Sequence, residues 1–291
     1  MISDLNTERP VDTPLALART LLFVPGNRPE RYRKALAAGA DAVVLDLEDS
    51  VPAVEKPAAR EAIAAAWADL ATAAVPLVVR INSLGGEAGH QDLAWLARLP
   101  PPAGVMLAKA ESAQQLQAVA QALPGLAVLP LIESAAGFLA LAEMAAAAGV
   151  LRLAVGHIDF MADTGLHCSE DERELDTLRF HIALQTRAHR LASAVDGVTV
   201  AIADDARLQA DTRRALNFGF GAKLCIHPRQ APVVHAAMRP TEAELEWARR
   251  VLAADRAAGG AAVRLDGRMV DLPVVLQARL TLARVRAEDR A

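Results

Sequence analysis

Two cysteines, Cys168 and Cys225, are all that the 291 residues contain. They form no CxxC pair and are too few for a disulfide framework, so a reduced, cytoplasmic setting is the expectation. Cys225 lies in an apolar run and reads as packing. Lysine is also scarce, with Lys34, Lys56, Lys109 and Lys223 the only ones. The formal net charge is −4 and the pI about 6.0, which leaves no basic field for nucleic acid or an anionic membrane. No uninterrupted apolar run reaches the ~18–20 residues of a membrane span. The first residues lack a positive stretch followed by an apolar one, the pattern of a secretory signal. Residues 1–18 read as a loose polar leader.

What the chain does have is apolar material. Hydrophobic residues make up 53% and charged residues 23%, enough for one large core and too much for a disordered chain. Eight short apolar runs, at 21–25, 42–48, 77–82, 104–109, 127–133, 151–156, 197–202 and 222–226, alternate with Ala/Leu-rich stretches. Most are continuously apolar, as strands buried on both faces of a parallel sheet are. Eight such strands separated by helix-sized intervals predict a TIM (β/α)₈ barrel over 19–230. A doubly wound open sheet is the competing fold, although no GxGxxG turn follows the first run.

Local punctuation agrees with the alternation. Gly39, Gly149 and Gly219 each stand where a helix would need a left-handed residue past its end. Ser112…Gln115 and Thr241…Glu244 have the spacing of capping boxes. Residues 231–291 exceed what a bare barrel needs. They read as a helix over 241–258, a hairpin of 261–265 and 269–272 turning at Asp266-Gly267, and a helix over 273–286. This appendage is either a cap over the barrel mouth or an oligomer contact.

Barrel enzymes build their sites where the strands end. The apolar runs end in Asp46-Leu47-Glu48-Asp49, Arg80-Ile81-Asn82, Lys109-Ala110-Glu111, Glu133-Ser134, Gly156-His157-Ile158-Asp159 and His227-Pro228, with Arg19 preceding the first run. So many titratable groups at strand ends point to one reactive rim. Carboxylates there favour a hard cation such as Mg²⁺, which takes one or two carboxylates plus water and substrate oxygens. His157 and His227 show no zinc spacing. Arg19, Arg80 and Lys109 suit an anionic, oxygen-rich substrate such as a 2-oxo acid. Asp46, Glu48 and Asp49 have two readings, contact near the metal or salt bridging to Arg80 and Lys109.

The same residues carry a family pattern. In order come Arg19-Thr-Leu-Leu-Phe-Val-Pro-Gly26, Asp46-Leu-Glu-Asp-Ser-Val51, Arg80-Ile-Asn82, Met106-Leu-Ala-Lys109-Ala-Glu-Ser112, Ile132-Glu133-Ser134 and Cys225-Ile-His-Pro228. Together they resemble the citrate lyase β-subunit and malyl-CoA lyase family of the HpcH/HpaI aldolase superfamily. The resemblance runs from Arg19 to the C-terminal helix. It implies a carbon–carbon lyase acting on an acyl-CoA ester, with Mg²⁺ on Glu133 and Asp159 and Arg80 at the reacting oxygens. Met269-Val270-Asp271-Leu272-Pro273 resembles the family motif that carries an acid to a neighbouring protomer's site, which makes Asp271 the candidate acid/base and implies a homotrimer or hexamer. Arg19, Arg80, Lys109, Gly156 and His157 are the candidate substrate contacts. The implied partners are an acyl-CoA, with CoA as part of the substrate, and a 2-oxo acid.

One departure stands out. Where the family commonly reads Gly-Thr/Ala-Glu-Asp, this chain reads Gly156-His157-Ile158-Asp159. One acid beside the metal aspartate is replaced by isoleucine, which points to a divergent substrate. Two other readings of the rim stay open: a CoA-independent aldolase of 4-hydroxy-2-oxo acids, and a non-catalytic binding subunit that keeps the barrel.

Overall fold

The computed structural model describes residues 13–285. It divides into two compact units, the first ending at His235 and the second beginning at Ala236. The first is a closed barrel of eight parallel strands in sequence order: β1 (Thr20–Pro25), β2 (Ala42–Asp46), β3 (Leu77–Ile81), β4 (Gly104–Leu107), β5 (Ala127–Ile132), β6 (Ala154–Val155), β7 (Val195–Asp196) and β8 (Ala222–Cys225). β1 pairs with β8 through Thr20–Lys223, Leu21–Leu224 and Leu22–Cys225, which closes the sheet. The expected barrel is thus the fold, and an open sheet is ruled out.

The helices begin with a short turn, α1 (Pro14–Leu17), below the first strand. Then follow α2 (Tyr32–Leu36), α3 (Lys56–Leu70), α4 (Glu87–Leu96), α5 (Ala113–Ala122), α6 (Ala135–Leu139), α7 (Leu141–Ala145), α8 (His157–Thr164), α9 (Asp176–Ala188), α10 (Asp205–Asn217) and α11 (Gln230–Met238). Gly39, Gly149 and Gly219 adopt positive φ, where the sequence places them. Ser112 caps α5 by accepting from the Gln115 amide at 3.3 Å, but the Gln115 side chain turns instead to the Glu111 amide, so that capping box is half formed.

The barrel interior is filled by Leu21, Ala42, Val44, Val78, Met106, Leu129, Leu131, Ala154, Val195, Ala222 and Leu224, with Leu15 and Ala18 in the same cluster. Residues 13–18 therefore do not behave as loose leader. The Leu15 side chain enters the core, a burial that stabilises by ~1.5–3 kcal/mol. Gly104 makes room for it, because a Cβ there would strike the Leu15 side chain. Arg152 locks this end. Its Nη1 donates to the Leu15 and Ala18 carbonyls at 3.1 and 2.7 Å, and its Nε to the Ser193 carbonyl at 2.7 Å. The rest of the expected leader, residues 1–12, lies outside the described residues.

The seventh strand was expected at 197–202 and is found at Val195–Asp196. Asp196 is a charged residue inside this strand. In the fold it is buried and paired with Lys223 at 3.1 Å and Arg179 at 3.2 Å. The apolar residues Val198–Ile202 lie beyond the strand, with Val200 and Ile202 exposed. The sixth strand is also shorter than its apolar run, and Val150 contributes only an isolated bridge to Val128.

The second unit holds α12 (Glu242–Ala257), the hairpin β9 (Val263–Leu265) and β10 (Arg268–Val270), and α13 (Leu272–Ala283). Thr241 and Glu244 form a complete capping box at the start of α12. Ala248, Val251, Val270, Val275 and Ala278 form its own small core.

Replacing Arg152 with methionine leaves the buried Leu15 and Ala18 carbonyls and the partly buried Ser193 carbonyl without this donor. A loss of about 1–3 kcal/mol, read from the urea midpoint, is expected. An unchanged midpoint would show that the clamp contributes nothing.

Candidate active site

β2, β3 and β4 run side by side, with Asp46 opposite Arg80 in the register. Arg80 Nε and Nη2 donate to the two Asp46 oxygens at 2.6 and 2.7 Å, a bidentate pair. Its Nη1 lies 3.1 Å from Glu48, and its guanidinium sits 4.6 Å over the Phe23 ring. Burial alone would oppose the charge. Asp46 and Glu48 overcome it and raise the Arg80 pKa, while Asp46 is held below its ordinary value by Arg80 despite its burial. The guanidinium is thereby fixed in direction and permanently charged.

Glu48 also accepts from Lys109 Nζ at 2.5 Å. Lys109 has φ +47°, left-handed backbone that a side chain rarely adopts and that costs on the order of 1–3 kcal/mol. The strained turn lets one residue serve both sides of the rim. Its amide donates to Glu133 Oε1 at 2.6 Å. Its ammonium lies 3.7 Å from both Asp49 and Asp159.

Glu133 and Asp159 thus converge on Lys109 from neighbouring positions, one just past β5 and the other in the first turn of α8. Glu133 is buried against Gly156, where a Cβ would collide with its carboxylate. Gly156 acts by leaving that space. Burial, with Glu48 and Asp159 adding repulsion, pushes the Glu133 pKa up to about 8.

Five carboxylates (Asp46, Glu48, Asp49, Glu133 and Asp159) stand here against two cations, Arg80 and Lys109. The surplus of negative charge and the all-oxygen donors fit a hard divalent cation. Among the described residues no three His, Cys, Asp or Glu side chains are arranged to hold a metal. A cation on Glu133 and Asp159 would therefore complete its shell with water and substrate oxygens.

Two expected substrate contacts are displaced. Arg19 precedes β1 and so stands at the opposite end of the barrel from the rim. Its amide donates to Asp41 at 2.6 Å and its Nε lies 3.7 Å from the same oxygen. A six-residue strand separates it from Pro25, roughly 20 Å at strand rise. His157 is 4% exposed, with its ring against Gly197. Burial lowers its pKa, so this is a neutral packing imidazole, inaccessible to substrate. Asp46 and Glu48 take the salt-bridge reading. Asp271 caps α13 in the second unit, accepting from the Val274 amide at 3.5 Å.

The model of the HpcH/HpaI aldolase/citrate lyase family matches residues 19–228. The chain belongs to that family. It is 40% identical over 270 residues to a citrate lyase subunit beta-like protein of Mycobacterium tuberculosis, covering 90% of this chain and 94% of the relative. It is 33% identical over 273 residues to a (3S)-malyl-CoA thioesterase of Cereibacter sphaeroides, covering 92% and 95%. The structure of M. tuberculosis CitE in complex with magnesium, acetoacetate and coenzyme A superposes with a TM-score of 0.81 at 39% identity, over 92% of this chain and 98% of that one.

Beneath the acids of this family member lies a scaffold that no strand-end charge marks in the sequence. Lys56 Nζ donates to the Leu47 and Glu48 carbonyls and to Asn82 Oδ1 at 2.8, 2.9 and 2.8 Å. Asn82 Nδ2 donates to the Leu47 carbonyl at 2.8 Å and to the buried Asp92 at 2.6 Å. The rarity of lysine was the available signal, since Lys56, Lys109 and Lys223 all prove to hold carboxylates or carbonyls of the barrel.

The Glu133 shift has a thermal consequence. A carboxyl raised from 4.5 to about 8 favours the folded state below pH 4.5 and loses that advantage as pH climbs through 8. Metal-free Glu133→Gln should therefore melt several degrees above the parent at pH 8.5, and nearer to it at pH 5. Calorimetry in a chelator gives the comparison, and a gap that does not widen with pH would contradict the assigned burial.

Proposed function

We propose that the protein is a Mg²⁺-dependent carbon–carbon lyase that splits a β-hydroxyacyl-CoA thioester into an acyl-CoA and a 2-oxo acid, or joins the two. The convergence of Glu133 and Asp159 beside the fixed guanidinium of Arg80 carries this reading. Magnesium and coenzyme A in the CitE relative support it. Bound by Glu133 and Asp159, Mg²⁺ supplies positive charge to the carboxylate and hydroxyl or carbonyl oxygens of the 2-oxo acid portion.

The chain's own groups do the rest. Arg80, held by Asp46, presents a donor that stabilises the oxygen of the departing thioester enolate, in an orientation set before substrate arrives. Lys109 balances the carboxylates and orients the substrate carboxylate. Asp271, supplied by a neighbouring chain in a trimer or hexamer, returns a proton to the enolate carbon in cleavage and removes one from the acetyl methyl in condensation. Nothing in this scheme needs a membrane or nucleic acid, and among the described residues no helix is long and apolar enough to cross a membrane.

Cleavage of hydroxyacyl-CoA thioesters, followed by mass spectrometry, tests the reading. Glu133→Ala and Asp159→Asn should abolish Mg²⁺-dependent turnover, and Arg80→Ala should lower kcat by about 10²–10³. Unchanged turnover in Glu133→Ala rejects it as ligand. Free CoA without a 2-oxo acid marks thioester hydrolysis, the activity named for the C. sphaeroides relative. Equal turnover of the free acid marks a CoA-independent aldolase. Asp271→Ala should lose activity and regain part of it when mixed with Glu133→Ala. No recovery in verified mixed oligomers would place the whole site within one chain.

A further inference from the structure

The turn after β2 is tied from both sides. On one side the Leu47 amide donates to the Arg80 carbonyl at 2.9 Å, and the Glu48 and Ser50 amides donate to the two Asp46 oxygens at 2.9 and 3.2 Å. On the other side the Leu47 and Glu48 carbonyls meet one ammonium. Lys56, the first residue of α3, has three protons on Nζ and directs them to those two carbonyls and to Asn82 Oδ1. Asn82 is itself held in place. Its Nδ2 donates to the Leu47 carbonyl and to Asp92 at 2.8 and 2.6 Å, and its amide donates to the same Asp92 oxygen at 3.0 Å. Asp92 is wholly buried and takes Arg60 on its other oxygen at 2.7 Å. Lys56 is thus a cation beneath an acidic rim, and all three of its bonds go to uncharged oxygens.

What this clamp fixes is Glu48. Its carboxylate takes Arg80 Nη1 at 3.1 Å and Lys109 Nζ at 2.5 Å. The Asp49 amide that also donates to it, at 2.9 Å, belongs to the same turn and moves with it. Arg80 would keep its direction without Glu48, because Asp46 holds it through two bonds at 2.6 and 2.7 Å. Lys109 would not. Its side chain is 38% exposed, and its next acids are Asp49 and Asp159, both at 3.7 Å. An ammonium released from Glu48 would close on them, and on Asp159 it would neutralise the charge that attracts a metal. Glu48 therefore sets the place of Lys109, and the backbone under Lys56 sets the place of Glu48.

We propose that Lys56 is a positioning residue for the metal acids: by fixing the Leu47–Glu48 backbone it keeps Lys109 on Glu48 and off Asp159, and so leaves Glu133 and Asp159 open to the divalent cation. This rests on the reading above that those two acids hold the cation. Charge alone would give the opposite result. Removing a nearby positive charge favours a bound cation, so only a loss of position makes binding weaker when Lys56 is neutralised. A general loss of packing is separated in another way. A residue that acts through Lys109 has nothing to act on once that ammonium is gone, so the two substitutions are not additive.

The test uses the full chain and Mg²⁺ alone, without substrate. The Kd is read by titration calorimetry, and thermal melting checks that each variant is folded. Lys56→Met should weaken Mg²⁺ binding at least fivefold. Asn82→Ala changes no charge, loosens the same Leu47 carbonyl and should weaken binding in the same direction, which keeps the question decidable if Lys56→Met does not fold. Lys109→Met should bind Mg²⁺ at least as tightly as the parent, and adding Lys56→Met to it should change the Kd by less than twofold. Unchanged or tighter binding in Lys56→Met, or in Asn82→Ala where only that variant folds, overturns the proposal. So does a fivefold loss that persists in the Lys109→Met background. A parent that binds no Mg²⁺, or a Glu133→Ala variant that binds it as the parent does, overturns the metal reading itself and this inference with it. Intact binding loss in Glu133→Ala beside an unaffected Lys56→Met overturns this inference alone.

Discussion

Carboxylates outnumber cations at the mouth of this barrel, and the arrangement around them follows from that imbalance. Asp46 and Glu48 take Arg80 between them, and Glu48 shares Lys109 with Asp49 and Asp159. The Arg80 pairs are strong because burial removes the water that would otherwise screen them, while Lys109 meets Asp49 and Asp159 in partly exposed contacts at 3.7 Å. Glu133 and Asp159 share only Lys109 with the other acids, through its amide at 2.6 Å and its ammonium at 3.7 Å. A divalent cation would resolve the imbalance. The left-handed backbone of Lys109 fits the same logic, since an ordinary turn would not bring both its amide and its ammonium to bear on acids from different strands.

Behind β6 to β8 a second charge network is balanced in a different way. Glu172 accepts from Arg179, Arg207 and Arg214, while Asp196 takes Arg179 and Lys223. Asp196 is held near 2 by Lys223 and Arg179 even though it is wholly buried. This network is satisfied internally, whereas the one at β2 to β5 is not. That difference separates a bracing element from a reactive one better than burial or charge count alone. It also leaves the exposed surface of the β6–β8 half to apolar side chains.

The barrel and the acids that meet at its rim were legible in the sequence because parallel strands are continuously apolar and end abruptly in charge. Glu133 and Asp159 each stand just past such a run, and strand ends share one rim in any closed parallel barrel. Arg19 was misplaced because it stands beside a strand in sequence, and only the strand's direction tells which end of the barrel that is. The seventh strand was misplaced because Asp196 reads as loop until its partners, distant in sequence, are known. His157 looked like a rim group because it precedes Asp159. One residue of helix start turns its ring inward, against Gly197.

By itself the sequence determined the alternation of strand and helix, the capping signals, the family and the acids that stand at the strand ends. Those depend on local periodicity and on residue type, which are written along the chain. Tertiary structure alone decided which charges cancel, which end of the barrel Arg19 occupies, and that residues 13–18 plug the base. These outcomes depend on groups brought together across sheet closure, and the field at any one residue is set by neighbours that the linear order does not place beside it.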